Sequence, residues 1–437
     1  MFRRFFLLLC CLALSGCTAV TTRPNDWARR TLHITPPPAL VGSAEFERQL
    51  DHRSHSARTA RNAATLLVDA SETYPAMLAA IRGARRDINL SIYSFIPDRR
   101  GGEFIAALAG AARRGARVRV IYDELGSPGT RTRDFAAIAA AGGQVRVFNP
   151  FWHWTFFRYD HRAHRKILTV DGEVAFMGGL NIGDELADDN WRDVMLTVRG
   201  EAVADAETVF VRTWRQAGKG WFGKTLPWLG ATWLKNAVEL PLKPFRQKET
   251  PLPPPPAPDA FLPTRVVEQV PDRLDNYLLN MFEYAVVSAR KNVYLCTPYF
   301  VPPPRLARAL RGAARRGVVV KVLTQGPTDI PKMASMGKKI VADLLKNGVE
   351  VYALQDAILH AKYMTVDGKW VTVGSANADT RSLILNYEAN WAISDEALTG
   401  KFEQLFRRDL ARSAPYAEYY RDLPAAPFYL RWLWRQF

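Results

Sequence analysis

The sequence predicts an α/β protein in which one strand–helix–strand unit occurs twice, giving two mixed β-sheets flanked by helices. Three observations support this fold class. Matching apolar strands and Ala-rich helices recur in both halves, a pattern of His, Lys and Asp follows each copy, and a proline-rich segment separates the copies. With 437 residues, 48% of them hydrophobic, the chain is long enough for two domains with complete cores.

Each repeat begins with a β-branched and aromatic strand and continues into an amphipathic Ala- and Leu-rich segment. Both helical segments end in Ala-Ala-Arg-Arg-Gly, where glycine is a typical stop signal. A second apolar strand follows, and this order is typical of parallel or mixed sheets. The strands are predicted at 88–95, 118–122, 293–300 and 318–323, and the helices at 104–115 and 306–317.

The N-terminus has the features of a bacterial lipoprotein signal. Residues 1–16 combine Arg3 and Arg4 with an apolar run that is too short to span a bilayer. The string L-S-G-C ending at Cys17 resembles a lipobox, in which Cys17 would be lipidated; a plain signal peptide or a single-span anchor are the alternatives. Only Cys296 would then remain unmodified, so no intramolecular disulfide is expected.

Composition divides the rest of the chain. Residues 17–62 are polar and include three consecutive prolines, which suggests a tether, and the Pro-rich run 251–258 indicates a linker between the halves. The predicted segments are the signal 1–16, the tether 17–62, a first half 63–244 with an aromatic insert, the linker 245–265, a second half 266–412 and an aromatic, basic tail 413–437.

The charge balance favours anionic partners. There are 59 Lys and Arg residues against 43 Asp and Glu residues, a net charge of +16, which suits phospholipid headgroups, an anionic membrane surface or nucleic acid. Tryptophans alternate with Lys and Arg in 214–245 and 428–437, as is typical of a bilayer interface. The same aromatics would also fit a protein core or single-stranded nucleic acid, so they do not decide the partner.

The pattern H-x-K-x4-D occurs twice and is the most informative feature of the chain. Each copy is followed by a pair of small residues and then by Asn, and the His-to-Asn spacing is seventeen positions in both halves. One copy alone would be weak evidence, whereas two copies with matching continuations indicate one two-fold site. The residues are His164, Lys166, Asp171 and Asn181 in the first half and His360, Lys362, Asp367 and Asn377 in the second.

These residue types suit the cleavage of a phosphodiester. His and Lys two positions apart share one face of a strand, so two facing motifs would supply two imidazoles and two ammonium groups. One imidazole could attack phosphorus while the other protonates the leaving oxygen, and the lysines would neutralise the phosphoryl oxygens. Asn181 and Asn377 could add hydrogen-bond donors. This chemistry requires no cofactor and no metal, and the cysteine spacing offers no zinc ligand set.

The motifs and their continuations resemble the phospholipase D superfamily, and more narrowly the bacterial cardiolipin synthases. The first copy continues as G-G-L-N-I-G from Gly178, and the second as G-S-A-N-A-D-T-R-S from Gly374, followed by Asn-Tyr-Glu388. The resemblance extends from about residue 65 to 410. It implies a tandem duplicated phospholipase D-like fold with one active site at the pseudo-two-fold interface.

The resemblance also implies residue roles. It implies a covalent phosphohistidine at His164, with His360 as general acid and base, although the sequence does not fix which histidine attacks. Asp171 and Asp367 would stabilise and orient the site without contacting substrate. Substrate binding is assigned to Asn181, Asn377, Ser375 and Glu388; Glu388 could also orient a histidine or accept a proton from the incoming alcohol.

The function implied is transfer of a phosphatidyl group from phosphatidylglycerol to a second phosphatidylglycerol, which makes cardiolipin. The alternatives are a phospholipase D with water as acceptor, a secreted nuclease of the same superfamily and a lipid-anchored binding protein. Nucleic acid is not the expected partner, and the oligomeric state is not fixed. The lipobox-like segment, which replaces the spanning helices usual in the family, predicts a lipid anchor at the periplasmic face of a bacterial envelope. Thr18 after the cysteine favours the outer membrane.

Overall fold

The structure is a computed structural model that describes residues 38–150, 161–187, 190–217, 261–271, 275–328 and 331–424. The predicted signal, Cys17, most of the aromatic insert, the linker up to residue 260 and the tail from residue 425 lie outside the described residues. Across the described ranges, no helix is both long enough and apolar enough to cross a membrane.

Within its described residues, the first half combines eight strands with four helices, and the helix α1 precedes them. Its strands are β1 Asn62–Val68, β2 Asp87–Ile92, β3 Arg117–Asp123, β4 Gln144–Phe148, β5 Ile167–Val170, β6 Val174–Gly178, β7 Trp191–Arg192 and β8 Val194–Gly200. The helices up to this point are α1 Ala44–Ser54, α2 Asp69–Gly83, α3 Arg99–Arg113, α4 Ala136–Ala140 and α5 Ala202–Ala217, with 3₁₀ turns at Thr132–Phe135 and Glu185–Ala187.

The second half repeats this plan. Its strands are β9 Thr264–Gln269, β10 Asn292–Cys296, β11 Val319–Gln325, β12 Glu350–Leu354, β13 Ile358–Leu359, β14 Tyr363–Val366, β15 Trp370–Gly374, β16 Glu388–Ser394 and β17 Ser413–Pro415. Its helices are α6 Tyr277–Ser288, α7 Pro304–Arg315, α8 Pro331–Leu345, α9 Glu396–Leu410 and α10 Tyr416–Tyr419, with a π-helical turn at Arg381–Leu385.

The two large sheets have the same strand order. The first runs β1-β8-β6-β5-β2-β3-β4, and the second, from the equivalent end, runs β9-β16-β15-β14-β10-β11-β12 with β17 added at its edge. In the first sheet β2, β3 and β4 are parallel, and in the second sheet β10, β11 and β12 are parallel. The pairings of β2 with β5 and of β10 with β14 are antiparallel. The predicted fold class, a duplicated α/β fold with two mixed sheets, is therefore confirmed.

The repeated helices end at the predicted glycines. Gly115 and Gly317 follow α3 and α7 with φ of +96° and +87°, a left-handed conformation that glycine adopts without steric cost. The helix α3 begins at the cap Asp98, whose carboxylate accepts the backbone N–H of Gly101. The local signals in the sequence thus set both ends of this element.

The halves share a core, which fixes their relative position. One hydrophobic cluster combines buried side chains of β5, β6 and β8 with those of β14, β15 and β16, such as Met177 and Leu196 with Val373 and Trp391. The short strands β7 and β13 also pair in parallel across the halves. A site built from both halves therefore rests on a common apolar interface rather than on a hinge.

The predicted tether is wrong for its described C-terminal part. Residues 44–54 form α1, capped by Ser43, and Phe46 and Leu50 are fully buried in the core of the second half. Phe46 stacks on Tyr284 of α6 with ring centroids 5.5 Å apart. The helix was hidden because most of its residues are charged or polar, and only a narrow apolar face is buried.

The predicted linker extends slightly too far. Strand β9 already begins at Thr264, and Arg265 is 1% exposed. The guanidinium of Arg265 pairs with Glu47 and Asp51 of α1. The segment before the first half and the first strand of the second half are thus held together by buried charges.

Candidate active site

Both His-x-Lys segments lie at the carboxyl ends of parallel strands. Ile167, the first residue of β5, pairs with Ser91 near the end of β2, and Tyr363 of β14 pairs with Cys296 at the end of β10. The residues before them, which include both histidines, therefore lie at this edge of each sheet. The carboxyl edge of parallel strands is the usual location of a ligand site in open α/β sheets.

Each motif is bound to the other half through its backbone. The N–H of His164 donates to the carbonyl of Tyr387 at 3.0 Å, and the N–H of His360 donates to the carbonyl of Arg192 at 2.7 Å. Tyr387 directly precedes Glu388 in the chain, and Arg192 directly precedes Asp193. These two hydrogen bonds bring the predicted motifs together. They also place Glu388 of the second half beside His164, and Asp193 of the first half beside His360.

The crosswise carboxylates hold the imidazoles. His164 Nδ1 lies 2.9 Å from Glu388 Oε1, and His360 Nδ1 lies 2.6 Å from Asp193 Oδ2. Both carboxylate side chains are fully buried. A carboxylate on Nδ1 fixes the orientation and the tautomer of each ring, and leaves Nε2 as the nitrogen for chemistry.

The two carboxylates are supported differently. Ser375 Oγ donates to Glu388, and Asn386 Nδ2 approaches Glu388 Oε1 at 3.4 Å. Gly179 stands where the first half has the counterpart of Ser375, and a Cβ there would lie 2.1 Å from Asp193 Oδ1. The small-residue pairs after the motifs are therefore not simple turns, because one supplies a donor and the other supplies space.

The lysines are buried beside the histidines. Lys166 Nζ donates to the carbonyl of His164 at 2.7 Å, and Lys362 Nζ donates to that of His360. Both side chains belong to residues that are 1% exposed. Tyr93 covers the first pair, with its ring 4.7 Å from the His164 ring and 5.1 Å from Lys166 Nζ. Trp191 packs against His360 with ring centroids 5.2 Å apart.

In the first pair the imidazole of His164 is neutral and the carboxylate of Glu388 is ionised. Burial lowers the pKa of His164 to about 4; Glu388 opposes this shift, whereas the charges of Lys166 and Lys362 add to it. Burial raises the pKa of Glu388, but His164, Lys166 and the Ser375 hydroxyl outweigh it and the net pKa is lowered. Burial also lowers the pKa of Lys166 to about 7.

The second pair has a different protonation state. Burial raises the pKa of Asp193 to about 7, against the opposing effects of Lys362, the Val194 N–H and Lys166. The Asp193 carboxyl beside His360 therefore holds a proton up to about neutral pH. Two geometrically similar pairs thus offer one unprotonated imidazole and one proton source, which is the division that acid–base catalysis requires.

The motif aspartates do not lie at this site, and the prediction that they orient it is corrected. Asp171 accepts the backbone N–H groups of Arg85, Arg86 and Asp87, and its counterpart Asp367 accepts the corresponding three in the second half. Both have left-handed backbone, with φ of 56° and 57°. Each aspartate follows its lysine by five positions across an extended strand, a separation of about 16 Å at 3.3 Å per residue. They stabilise the opposite edge of each sheet.

The two asparagines have different surroundings. Asn181 is buried, and its Oδ1 accepts the N–H of Ser94 at 3.1 Å, so it holds the loop after β2. Asn377 is also buried, and among the described residues its Oδ1 has no hydrogen-bond partner. Of the predicted substrate-binding residues, Ser375 and Glu388 support His164, whereas Asn377 retains an acceptor for a further contact.

A family comparison agrees with this geometry. A family model described as cardiolipin synthase, phospholipase D-like domain, matches residues 77–214 and 285–410, which is more than half of the chain. The chain belongs to the phospholipase D-like family. Its resemblance to that superfamily, predicted from the motifs, is confirmed.

Individual relatives of this phospholipase D-like protein cover most of its length. A cardiolipin synthase of Clostridium perfringens strain SM101 is 33% identical over 411 residues, which is 89% of this chain and 82% of the relative. The major cardiolipin synthase of Bacillus subtilis strain 168 is 31% identical over 374 residues, or 84% and 73%. A crystal structure of phosphatidylserine synthase from Haemophilus influenzae Rd KW20 has a TM-score of 0.64 at 15% identity and covers 89% of this chain and 96% of that one, which shows a common fold.

Sequence reasoning missed Asp193 as a site residue of this phospholipase D-like protein. Asp193 follows Asn181 by twelve positions, whereas Glu388 follows Asn377 by eleven, so the two acids fall out of register when the halves are aligned. The strand β8 begins directly after Asp193, and β16 begins at Glu388. A search for an acidic residue at the start of the equivalent strands would have found both. Tyr93 and Trp191 carried no comparable signal.

The arrangement suits a phosphoryl group. Within the described residues, no group of three His, Cys, Asp or Glu side chains is placed to hold a metal ion. The side chains of Lys166 and Lys362, each fixed by the carbonyl of its own histidine, can carry positive charge beside the imidazoles. Two such groups beside two imidazoles can bind a phosphodiester, attack its phosphorus and protonate its leaving group.

Proposed function

We propose that this phospholipase D-type enzyme is a phosphatidyltransferase that converts two molecules of phosphatidylglycerol into cardiolipin and glycerol. The observation that carries the proposal is the pair of crosswise histidine–carboxylate contacts, with a buried lysine beside each histidine. The names of the relatives over most of the chain support the lipid substrate.

In the first step, His164 Nε2 attacks the phosphorus of the donor lipid, and the bond from phosphorus to the glycerol oxygen breaks. His360 transfers its proton to that oxygen, so glycerol leaves as an alcohol and a phosphatidyl group remains on His164 as a phosphohistidine. Lys166 and Lys362 stabilise the charge on the non-bridging oxygens. Removing one positioned donor of this kind typically costs about 10²- to 10³-fold in rate.

In the second step, His360 takes the proton from a hydroxyl of the acceptor phosphatidylglycerol. The resulting oxygen attacks phosphorus, the bond between phosphorus and His164 breaks, and cardiolipin forms. His164 is returned to its neutral form and His360 to its protonated form. Protons and bonds therefore balance over the two steps without another reactant.

The electrostatics support His164 as the nucleophile. Its pKa of about 4 means that Nε2 keeps its lone pair over the physiological pH range, and the ionised Glu388 accepts the proton on Nδ1. Asp193, with a pKa raised to about 7, keeps a proton available to His360. If His360 were the nucleophile instead, the histidine of the pair that holds the proton would have to attack phosphorus.

The test is incubation of the purified full chain with vesicles of labelled phosphatidylglycerol and separation of the lipid products. Cardiolipin and glycerol, absent with His164→Ala and His360→Ala and present with His52→Ala on the exposed face of α1, would support the proposal. Phosphatidic acid without cardiolipin would make water the acceptor. Cleavage of single-stranded DNA with no lipid conversion would replace the proposal with a nuclease.

The covalent intermediate has its own test. A lipid with a p-nitrophenol leaving group does not need protonation as it departs, so His360→Ala should still be labelled, and the adduct should accumulate because His360 is missing for the second step. His164→Ala should remain unlabelled. An acid-labile, alkali-stable phosphoryl group mapped to His164 is the expected result, whereas label on His360 in the His164→Ala protein would reverse the roles.

We also propose that the protein works at a bacterial envelope membrane, lipid-anchored through Cys17. The lipobox-like segment, the net charge of +16 and the aromatic, basic residues 428–437 support this proposal. Cys17→Ala should release the protein from the membrane fraction. Deletion of residues 428–437 should weaken sedimentation with anionic vesicles, and unchanged sedimentation would remove the tail from the proposal.

A further inference from the structure

Asp69 contacts Asp193, the residue whose carboxylate holds His360. It is the first residue of α2, directly after β1, and its Oδ1 accepts the backbone N–H of Asp193 at 2.9 Å. The N–H of Asp69 in turn donates to the carbonyl of Asp193 at 3.0 Å. Asp69 therefore forms hydrogen bonds with both the N–H and the carbonyl of Asp193, whose carboxylate holds His360.

A second contact ties Asp69 to the backbone of His360. Its Oδ2 accepts from Arg192 Nη1 at 2.6 Å, and the carbonyl of Arg192 accepts the N–H of His360 at 2.7 Å. Arg192 also approaches Asp409 of α9, with Nε 3.3 Å from Oδ1. One carboxylate thus fixes Arg192 and Asp193, the two consecutive residues that contact the main chain and the imidazole of His360.

The backbone of Asp69 is held in an uncommon conformation. Its φ is +60°, which costs a non-glycine residue free energy unless its surroundings compensate. Asp and Asn tolerate this region better than most residues. The two hydrogen bonds to Asp193 and the ion pair with Arg192 provide the compensation, so the conformation is tied to the site rather than to a turn sequence.

In the described residues of the second half, an amide takes the place of this carboxylate. In the paired strands, Val68 lies opposite Val194, and Gln269 lies opposite Glu388, so Gln269 occupies the position equivalent to Asp69. The amide of Gln269 is directed to Val270, Asn276 and Ile384 rather than to Glu388. A carboxylate at this position is therefore specific to the half that supplies Asp193.

We propose that Asp69 is a positioning residue for the proton-donating pair, holding Asp193 and His360 in place and keeping a proton on them. The inference rests on the proposed function, because it assigns the acid that protonates the leaving alcohol. An ionised carboxylate next to Asp193 disfavours loss of the proton shared by Asp193 and His360. The geometric role is to hold the carboxylate of Asp193 against Nδ1.

The charges around Asp69 define the expected pH effect. Arg192 and Asp193 face it from the first half, Asp409 faces it from α9, and Glu72 of α2 binds the neighbouring N–H of Val68. Burial raises the pKa of Asp69 to about 6, Arg192 and the Asp193 N–H oppose that shift, and the charges of Asp193 and Asp409 add to it. Removing its charge should let the Asp193–His360 pair lose its proton at lower pH.

Two variants separate the roles. Asp69→Asn keeps an acceptor and tolerates the left-handed backbone but removes the charge, whereas Asp69→Gly keeps the backbone conformation and removes the side chain. Asp367→Asn is the matched control, because Asp367 also has a left-handed backbone and accepts backbone N–H groups, but at the far edge of the other sheet. Thermal unfolding of all three reports any general loss of structure.

The first measurement compares two leaving groups. Phosphatidylglycerol releases an alkoxide that needs a proton, and phosphatidyl-p-nitrophenol releases a phenolate that does not. Asp69→Gly should lower kcat with phosphatidylglycerol by about 10- to 100-fold, part of the 10²- to 10⁴-fold that a general acid supplies, with little change in KM. The first-turnover burst of p-nitrophenolate should change less than about threefold. Equal losses with both lipids would mean a merely structural role and would overturn the proposal.

The second measurement is the pH profile. With Asp69→Asn, the alkaline limb of kcat should move to lower pH by about 0.5 to 1 unit, whereas Asp367→Asn should leave it in place. Identical profiles for the two variants would contradict the proposal. If the wild-type protein releases no glycerol from phosphatidylglycerol, the proposed function fails, but the profile of p-nitrophenolate turnover, in which His360 must activate the acceptor, still decides the role of Asp69.

Discussion

At the scale of single residues, the two halves of the site are equivalent in geometry and unequal in chemistry. Glu388 receives a hydroxyl and an amide donor and stays ionised, and burial keeps His164 neutral although Glu388 opposes that effect. Asp193 receives one backbone donor at 2.8 Å and carries a raised pKa. Burial acts on both carboxyl groups, and the charged and hydroxyl partners outweigh it at Glu388 but not at Asp193. The two geometrically similar pairs therefore differ in protonation, as the proposed nucleophile and acid require.

Replacing Glu388 should slow the formation of the phosphoenzyme at His164 more than replacing Ser375, which supports Glu388. Glu388→Gln removes the charge that accepts the Nδ1 proton of His164, and we expect phosphoenzyme formation to slow by about 10²- to 10⁴-fold, as for other histidines that lose their orienting carboxylate. Single-turnover labelling measures this rate directly. Ser375→Ala removes only one donor to Glu388 and should cost about tenfold; a larger loss for Ser375→Ala than for Glu388→Gln would contradict this order.

The space at Gly179 gives a second prediction. In Gly179→Ala the new Cβ would collide with the Asp193 carboxylate, so we expect His360 to lose its partner and glycerol release to fall by at least about 100-fold. The matched control is Gly102→Ala inside α3, where a Cβ meets nothing within 4 Å. That control should raise stability by about 0.5 to 1 kcal/mol, because alanine is the better helix former. Unaltered glycerol release by Gly179→Ala would show that Asp193 is not confined there.

Burial of His164 also makes stability depend on pH. Its pKa is about 4 in the folded protein and 6.5 in an ordinary environment, so between these values the unfolded chain binds a proton that the folded chain does not. The free energy of unfolding should therefore fall as pH is lowered from 6.5 to 4, by on the order of 3 kcal/mol from this group. Denaturation of His164→Asn should show a shallower fall than wild type, and His52→Asn should show the same fall. Equal slopes for all three would refute the buried, neutral state.

The residues that could be found from sequence are those whose partners are local. His164 and Lys166 lie two positions apart just before β5 rather than within the predicted strand, and duplication in the second half separates the pattern from chance. The contacts of Asp193 and Glu388 cross between halves, so no spacing within one half shows them. The prediction for Asp171 was wrong because a residue close to His164 in the sequence motif does not have to lie close to it in the fold.

At the scale of elements, strong local patterns were sufficient and weak ones were not. The repeated strands and helices were predicted because β-branched runs, an Ala-rich amphipathic segment and a terminal glycine point to the same structure. The helix α1 was missed because it buries only one narrow face, and that face is completed by α6, more than 200 residues later in the chain. Its tertiary contacts, rather than its composition, make it part of the fold.

The burial of α1 predicts its contribution to stability. Phe46→Ala should lower the free energy of unfolding by about 3 to 5 kcal/mol, because it opens a cavity between Tyr284 and Trp370. Arg48→Ala, on the exposed face of the same helix, should change it by less than about 1 kcal/mol despite its ion pair with Glu45. Chemical denaturation measures both. Similar small effects would restore the interpretation of this region as a tether.

At the scale of the whole molecule, the site depends on contacts that only one half supplies. Arg165, between His164 and Lys166 of the first motif, is 1% exposed, whereas the second motif has Ala361 at the equivalent position. Its guanidinium donates to the carbonyl of Glu388, to Thr213 of α5 and to Glu268 of β9. Arg165 therefore holds the first motif against the second half, and Ala361 has no side-chain polar group for an equivalent contact.

This asymmetry leads to a final prediction. Arg165→Met keeps the length and apolar stem of the side chain but removes the buried arginine that pairs with Glu268 and leaves the contact with the more exposed Arg212, so we expect a loss of about 3 to 5 kcal/mol in the free energy of unfolding. Because the shared core joins both sheets, unfolding should remain one transition that moves as a whole to lower denaturant concentration. Ala361→Met probes the equivalent position of the second motif with the same new side chain, and its loss should come from overpacking alone, about 1 to 3 kcal/mol. If Arg165→Met instead separates unfolding into two transitions, the buried charge rather than the apolar interface is what unites the halves.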